Sequence, residues 1–164
     1  MKQTALFIGR FQPLHNGHAA VIKEIAVKYK LKIGIGSAQL SDTKENPLSA
    51  AERREMLKHF LDAEKIANAQ IFSIPDINND AQWVAHVKKI VGAFDCVYSG
   101  NPLVIRLFKE KNIPVKVIDE IHPYKATKTR TAVRNNKPIE SDVPSVVLQY
   151  LKSIRAIERM RKQR

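Results

Sequence analysis

Cysteine is almost absent from this chain, which has one, Cys96, among 164 residues. A lone cysteine cannot form an internal disulfide, and this scarcity is typical of proteins in a reducing compartment. Long apolar runs are also missing: no segment approaches the roughly 20 residues that cross a bilayer, and the apolar start is too short for a signal peptide. We therefore expect a cytoplasmic protein without a membrane partner.

Acidic residues are few, with 16 Asp and Glu against 28 Lys and Arg, which gives a formal net charge of +12. Such an excess attracts polyanions of any kind, so it fits nucleotides, nucleic acid or anionic lipid equally. Part of the charge crowds into the tail from Lys152 onward, which we interpret as a solvated helix end. No aromatic residues alternate with those charges as in a single-strand binder, so we expect no nucleic-acid partner.

Two common nucleotide-binding fingerprints are missing from the sequence. Gly34 and Gly36 lack the third glycine, and the acidic residue about 20 positions later, that mark the dinucleotide site of dehydrogenases. No Walker P-loop is present either. These absences argue against a dehydrogenase and against a P-loop enzyme.

Apolar runs that predict strands alternate with helical patterns, in a chain that is 44% hydrophobic and 27% charged. Ser49 and Glu52 form a capping box that begins the second helix. The length suits one domain, 1–164, whose part from 127 to 164 is predicted helical with interruptions at Pro138 and Pro144. Strands are predicted at 5–8, 31–36, 71–74, 95–98 and 115–118, and the earlier helices at 17–29, 49–62, 80–92 and from 100–102 onward.

This alternation predicts an α/β fold: a Rossmann-like, doubly wound parallel sheet of about five strands with a helical C-terminus. In such sheets the ligand lies outside the carboxyl ends of the strands. The loops that matter are therefore those after residues 8, 35, 74, 98 and 118.

The first of these loops carries the segment Gly9-Arg10-Phe11-Gln12-Pro13-Leu14-His15-Asn16-Gly17-His18. A helix is predicted to begin at about Gly17, and the free N–H groups at a helix start bind anions. His15 and His18 can both face that site and donate to phosphate oxygens. Gly17 lets a triphosphate lie against the backbone, and Arg10 adds a positive charge with a geometry suited to phosphate.

Two other interpretations of the histidines stay open at this point. His15 and His18 could be zinc ligands, although no carboxylate or cysteine nearby completes a metal set. They could also be surface histidines at the start of a helix. We predict no metal ligands in the protein itself.

His-x-Gly-His after a first strand resembles the signature of the nucleotidyltransferase superfamily. The longer string from Gly9 to His18 resembles the archaeal-type nicotinamide-nucleotide adenylyltransferases, and the similarity covers nearly the whole chain. Further matches follow in order: Ile35-Gly36-Ser37-Ala38-Gln39, Asn46-Pro47 leading to Ala51-Glu52-Arg53, Pro75-Asp76-Ile77, Trp83-Val84 and Tyr98-Ser99-Gly100-Asn101-Pro102-Leu103-Val104.

The resemblance implies which residues bind ATP and carry the reaction. Catalysis would fall to His15, His18, Arg10 and Arg130, with Mg²⁺ entering on the triphosphate. The resemblance also implies a homo-oligomer, namely a hexamer. The ATP-binding residues that it implies are Gly9, Arg10, Phe11, Gln12, His15, Gly17, His18, Gly100, Asn101, Thr127 and Arg130, of which Phe11 and Gln12 would act through the main chain.

The partner nucleotide, nicotinamide mononucleotide (NMN), would be bound by residues that follow the second and third strands. Trp83 would stack on the nicotinamide ring, since a flat cationic ring gains from an indole face, although a core tryptophan is the alternative. Asp80 stands where the family usually has asparagine, and its charge predicts a preference for the amide over the acid nucleotide. The implied NMN-binding residues are Ser37, Asp76, Ile77, Asp80 and Trp83.

A second family motif, Ser-Gly-Thr-x-x-Arg, matches 125–130 only at Thr127 and Arg130. Thr127 would suit the N-cap of a helix, which is an alternative to ATP binding. Lys125 replaces the family serine. Lys125 or Lys128 could supply a compensating charge, or Lys125 could fill the pocket and weaken triphosphate binding.

The predicted function is transfer of AMP from ATP to NMN, giving NAD and pyrophosphate. Two alternatives are kept. One is adenylyl transfer to another phosphorylated acceptor, and the other is a non-catalytic protein of the same fold that binds nucleotide or nucleic acid.

Overall fold

A computed structural model describes residues 1–118 and 124–163, and all statements below concern these residues. The described residues form five strands and seven helices. Strands and helices alternate through the fifth strand, and three consecutive helices follow. In chain order they are β1 (Thr4–Gly9), α1 (Asn16–Lys28), β2 (Lys30–Ile35), α2 (Ala50–Ala63), β3 (Ala69–Ser73), α3 (Asp80–Val91), β4 (Cys96–Ser99), α4 (Pro102–Glu110), β5 (Val115–Val117), α5 (Ala126–Arg134), α6 (Ser145–Ser153) and α7 (Ala156–Lys162).

The five strands form one parallel sheet in the order β3-β2-β1-β4-β5. Strand order reverses between β1 and β4, which makes their carboxyl ends the switch point where doubly wound sheets bind ligands. The predicted fold class is therefore confirmed.

Side chains of β1 alternate between two hydrophobic cores, one on each face of the sheet. Ala5 and Phe7 pack with α1, α2 and the C-terminal helices, while Leu6 and Ile8 pack with α3 and α4. All four are buried. This double burial explains why the strand is a continuous apolar run.

Local signals fix several helix boundaries. The capping box predicted for α2 is present: Ser49 Oγ accepts from Glu52 N at 3.1 Å, and Ser49 N donates to Glu52 Oε2 at 3.0 Å. Helix α6 begins directly after Pro144, and Pro138 lies in the irregular segment between α5 and α6, as predicted.

The N-cap predicted for α5 is wrong by two residues. Lys125 is the N-cap, and its side chain makes no capping hydrogen bond. Its carbonyl accepts from Lys128 N at 2.9 Å and from Thr129 N at 3.2 Å, so helical bonding begins before Thr127. The Thr127 hydroxyl instead accepts from Arg130 Nη2 at 3.4 Å. Residue 164, the last of the predicted helical part, lies outside the described residues.

No helix in the described part of the chain combines the length and the apolar character needed to cross a membrane.

Candidate active site

A cleft of about 450 Å³ opens at the carboxyl ends of β1 and β4. The loops after β1, β2, β3 and β4 all reach it, since parallel strands present their carboxyl ends at one edge. Its lining brings together ten of the predicted site residues: Gly9, Arg10, His15, Gly17, His18, Ser37, Asp76, Trp83, Gly100 and Asn101. The predicted residues that do not line it are Phe11, Gln12, Ile77, Asp80, Thr127 and Arg130.

His15 and His18 cap the start of α1 reciprocally. His15 Nδ1 accepts from the main-chain N–H of His18, and His18 Nδ1 accepts from that of His15, both at 3.2 Å. The two rings stack with centroids 3.7 Å apart and 19° between their planes. An imidazole whose Nδ1 accepts a hydrogen bond carries its proton on Nε2. The pair thus has two N–H donors fixed in position by the backbone.

Burial lowers the pKa of His18 well below its ordinary value of 6.5, and the neighbouring His15 lowers it further. His18 is therefore neutral at physiological pH. A neutral ring keeps Nδ1 as an acceptor for the cap, whereas protonation would turn that nitrogen into a donor and break the reciprocal arrangement.

Phe11 forms the floor beneath this pair. Its side chain is fully buried, 4.8 Å from the His18 ring and 5.4 Å from the Phe7 ring between centroids. A Cβ on Gly9 would lie 3.0 Å from Phe11 Cζ, so a side chain at this position would displace the ring. Gly9 is therefore needed for close packing under the histidines.

Gln12 acts within the loop. Its amide donates to Leu48 O at 2.8 Å and accepts from Leu48 N at 2.9 Å, which fastens the loop after β1 to the segment before α2. Main-chain contacts of Phe11 and Gln12 with ATP stay a prediction.

Two arginines predicted for catalysis differ in position. Arg10 lines the cleft, and its Nη1 donates to Asn46 Oδ1 at 3.4 Å. Arg130 is buried, and its Nη1 donates to the main-chain oxygen of Gln12 at 2.9 Å. Burial, then the charges of Arg10 and Arg134, lower the pKa of Arg130. The guanidinium of Arg130 thus supports the loop from below rather than lining the cleft.

Trp83 also lines the cleft, and its ring centroid lies 5.6 Å from that of Phe108 with 74° between the ring planes. It is partly exposed, which leaves part of the indole available to a ligand. Asp80 lies outside the cleft and pairs with Arg106 at 3.5 Å. This ion pair offsets the charge on which the predicted amide preference was based.

Asn101 and Gly100 lie in the loop between β4 and α4. Asn101 Oδ1 caps α4 by accepting from Leu103 N at 2.9 Å. Its main-chain N–H donates to Ser99 Oγ at 3.1 Å. These bonds fix the loop at the cleft wall beside β1.

Eight lining residues were not predicted as site residues, and two of them, Tyr124 and Lys125, carry polar side chains. Tyr124 stacks loosely with His15, with 6.5 Å between centroids and 26° between planes, and Lys125 follows it in the wall. Tyr124 directly precedes the segment 125–130 that matches the second motif. An aromatic residue next to that motif is the sequence feature that could have indicated a lining residue here. Lys125 is exposed at the cleft.

Carboxylates are scarce at the site. Asp76 is the one acid among the described lining residues, and its Oδ2 accepts from Gln39 Nε2 at 3.3 Å. Across residues 1–118 and 124–163 no group of three or more His, Cys, Asp or Glu side chains is arranged to hold a metal ion. A metal here would need oxygen ligands from a bound molecule.

Comparison with known families gives one matching model, the cytidylyltransferase-like family, over residues 6–137. Among curated proteins, the chain is 39% identical over 163 residues to the nicotinamide-nucleotide adenylyltransferase of Thermoplasma acidophilum, covering 98% of this chain and 91% of that protein. It is 43% identical over 162 residues to the protein of the same name from Methanospirillum hungatei, covering 96% and 91%.

Solved structures share the fold at lower identity. A bifunctional NMN adenylyltransferase/ADP ribose pyrophosphatase from Francisella tularensis, complexed with AMP and a manganese ion, superposes with a TM-score of 0.77 at 21% identity, over 98% of this chain and 52% of that one. The nicotinic acid mononucleotide adenylyltransferase of Plasmodium falciparum gives a TM-score of 0.68 at 11% identity, over 96% and 98%.

Proposed function

Because this chain belongs to the cytidylyltransferase-like family, and within it to the nicotinamide-nucleotide adenylyltransferases, we propose that its cleft binds ATP and NMN together. The enzyme transfers the AMP part of ATP to NMN, which produces NAD and pyrophosphate in NAD biosynthesis. The observation that carries the assignment of the site is the reciprocal histidine pair, with two oriented donors beside Arg10 at a helix start.

The reaction is attack by the 5′-phosphate oxygen of NMN on the α-phosphorus of ATP. A bond forms between that oxygen and phosphorus, and the bond to the bridging oxygen of pyrophosphate breaks. A phosphate monoester has its second pKa near about 6, so it is largely ionised at neutral pH and needs no strong base. Catalysis then consists of positioning the reactants and stabilising charge.

Nε2 of His15 and of His18 would donate to the triphosphate, along with the N–H groups at the start of α1. Arg10, which is exposed, adds a positive charge at the same wall. A preorganised donor is worth more than a solvent-exposed one, because it needs no reorientation when charge shifts towards the leaving pyrophosphate. The three side chains therefore form the proposed catalytic set, and Arg130 acts through Gln12 beneath it.

NMN would occupy the end of the cleft at Trp83, Ser37 and Asp76. The partly exposed indole offers a face on which a cationic nicotinamide ring gains both apolar contact and electrostatic attraction. Since the two predicted substrate sites share one cleft, the attacking phosphate meets ATP between them.

A divalent metal ion accompanies adenylyl transfer in this family, and a manganese ion is present in the Francisella structure. We propose Mg²⁺ for this chain, held by nucleotide oxygens and water. The scarcity of carboxylates among the described lining residues supports this arrangement, because Mg²⁺ is usually bound through substrate phosphates rather than a full protein cage. The hexamer and the cytoplasmic location stay predictions.

Incubation with ATP, Mg²⁺ and NMN, followed by product identification, tests the proposal. NAD and pyrophosphate should appear in equal amounts, and EDTA should abolish both. If product forms only with phosphopantetheine or another phosphorylated acceptor, that acceptor is the substrate instead of NMN. ATP binding without pyrophosphate release from any acceptor would favour a binding protein.

A further inference from the structure

Arg53 on α2 is a fully buried arginine whose hydrogen-bond partners are all main-chain carbonyls. Its guanidinium forms no ion pair with any carboxylate in the described part of the chain. The acceptors are Arg10 O at 2.9 Å, Gly36 O at 2.8 Å, Ser37 O at 3.1 Å, Leu40 O at 3.3 Å and Ser49 O at 3.3 Å. An arginine has five N–H donors, so each of them is used.

These carbonyls belong to two loops that diverge beyond the ends of β1 and β2. The last main-chain bond between them runs from Gly36 N to Gly9 O at 2.9 Å. One residue further, Nη1 of Arg53 bridges Arg10 O and Gly36 O. Nη2 then bonds Ser37 O. The side chain thus continues the pairing of the two loops where their backbones no longer reach each other.

The buried charge of the Arg53 guanidinium must be offset by other interactions, because burying an ion without a counter-charge is unfavourable. Burial, then the charge of Arg10, lower the pKa of Arg53 to about 10, so the guanidinium stays protonated at neutral pH. An apolar side chain would avoid this penalty, but it could not bond five carbonyls. The structure therefore keeps a charged group for its hydrogen-bond geometry.

Both loops reach the cleft, and each contributes a lining residue. Arg10 lies on the wall proposed for ATP, and Ser37 lies on the wall proposed for NMN. Arg53 does not line the cleft, and it reaches these two lining residues only through their main-chain carbonyls.

We propose that Arg53 is a positioning residue that sets the spacing between the Arg10 and Ser37 walls, and through it the alignment of NMN with ATP. This inference rests on the proposed roles of those two walls. A misplacement of about 1 Å far from the chemistry can lower a rate about 100-fold. Loss of the clamp should therefore lower kcat more than it raises either KM.

Arg54 provides a matched control on the same helix. Its Nη1 donates to Ile71 O at 2.7 Å and its Nη2 to Ser73 Oγ at 3.3 Å, so it also fastens a partly buried guanidinium to the backbone. Those partners lie on β3, and Arg54 does not line the cleft. Arg54→Met makes the same substitution on the same helix and removes two hydrogen bonds to β3 without touching either loop.

Steady-state kinetics of the full chain separate these roles. Arg53→Met should lower kcat about 100-fold, with both KM values within about threefold of wild type. Arg53→Lys keeps the charge and up to three donors, so its kcat should lie between those of Arg53→Met and wild type. Arg54→Met should stay within about threefold of wild type. Wild-type kcat in Arg53→Met, or an equal loss in Arg54→Met, would overturn the proposal.

A double-mutant cycle tests whether Arg53 acts through Arg10. Arg10→Ala should lower kcat much less in the Arg53→Met background than in wild type. In that background Arg10 is already misplaced, so removing its side chain costs little further catalysis. Additive losses would mean that Arg53 does not act through Arg10, and would contradict the proposal.

Amide hydrogen exchange gives a measurement that does not depend on activity. Peptides covering 9–14 and 36–41 should exchange faster in Arg53→Met or Arg53→Lys than in wild type and in Arg54→Met. If Arg53→Met does not fold, Arg53→Lys decides with the same two measurements. If wild type makes no NAD, the proposed function fails, but hydrogen exchange still tests whether Arg53 holds the two loops together. Unchanged exchange in both loops would overturn that role of Arg53.

Discussion

The imidazoles of His15 and His18 stack 3.7 Å apart while each accepts the other residue's main-chain N–H. Two functions therefore reside on opposite sides of each ring. Nδ1 satisfies the helix start, which otherwise leaves N–H groups without intrahelical partners, and Nε2 carries the proton that we propose is donated to a phosphate. Because the functions use different nitrogens, substitutions can separate them.

His18→Asn should retain the helix cap and lose catalysis. The asparagine Oδ1 can replace Nδ1 as the acceptor for His15 N, but nothing replaces the Nε2 donor. Loss of one preorganised donor lowers kcat about 100- to 1,000-fold, and KM for ATP should change far less if that donor acts in the transition state. Steady-state kinetics with varied ATP measure both quantities.

His18→Ala is the comparison for that experiment, because it removes the cap as well. Its kcat should fall as far as in His18→Asn, and its free energy of unfolding should fall by about 1 kcal/mol more, as for other lost caps. A turnover number unchanged in both variants would remove His18 from the mechanism.

The lowered pKa of His18 makes stability depend on pH. In the unfolded chain this imidazole titrates near 6.5, whereas in the folded chain its pKa lies well below that value. The unfolded state thus binds the extra proton first, so the free energy of unfolding should fall as the pH drops through 6.5, until the folded-state pKa is passed. Above 6.5 the contribution is fully present.

Urea unfolding of wild type and His18→Asn between about pH 7.5 and about pH 5.5 isolates this effect, whose slope for one group is at most about 1.4 kcal/mol per pH unit. Every other titratable group is the same in both proteins. Wild type should therefore lose stability relative to His18→Asn as the pH falls. Parallel profiles would show that His18 titrates normally in the folded state.

The sequence predicted the fold well because its signals are local. The central strand β1 is a short apolar run, and the Ser49–Glu52 capping box marks the start of α2 without any tertiary information. The start of α5 was misjudged for the same reason. Thr127 has the composition of an N-cap, but its hydroxyl pairs with Arg130, and the helix begins at Ala126.

Site residues were harder to predict, because the direction of a side chain depends on contacts between distant segments. Arg130 follows a recognisable motif, yet its guanidinium bonds a carbonyl 118 positions away instead of lining the cleft. Arg53 belongs to the matching segment Ala51-Glu52-Arg53, but nothing local in the sequence indicates that five carbonyls converge on it. Tyr124 was missed because one aromatic residue in a loop has many possible positions.

Selectivity between the amide and the acid nucleotide should depend only weakly on Asp80. Its side chain is 61% exposed and paired with Arg106 at 3.5 Å, so its charge is largely screened from the cleft. Wild type should prefer NMN, and Asp80→Asn should change the ratio of kcat/KM for the two nucleotides by less than about threefold. Side-by-side rates with NMN and nicotinic acid mononucleotide measure this ratio.

Arg106→Met leaves Asp80 without its partner, and the preference for the amide should then increase, because an unpaired carboxylate repels the acid nucleotide more strongly. Glu110→Gln is the control, since it removes the other partner of Arg106 and leaves the Asp80 pair in place. Faster turnover of the acid nucleotide by wild type would contradict the predicted preference.

Lys125 should assist ATP binding through its charge rather than obstruct it. It is exposed at the cleft wall, where a flexible ammonium can approach a triphosphate without filling its site. Lys125→Met keeps most of the side-chain volume and removes the charge, so KM for ATP should rise about fivefold at low salt, the size expected for an exposed charge pair. Lys128→Met makes the same change on an exposed residue of α5 that does not line the cleft, and it should leave KM for ATP nearly unchanged.

The difference in KM for ATP between the two variants should shrink in high salt, because screening removes a charge effect and leaves a steric one. If Lys125 instead fills the pocket, Lys125→Ser should bind ATP more tightly than wild type, and that result would reverse the role assigned to this lysine.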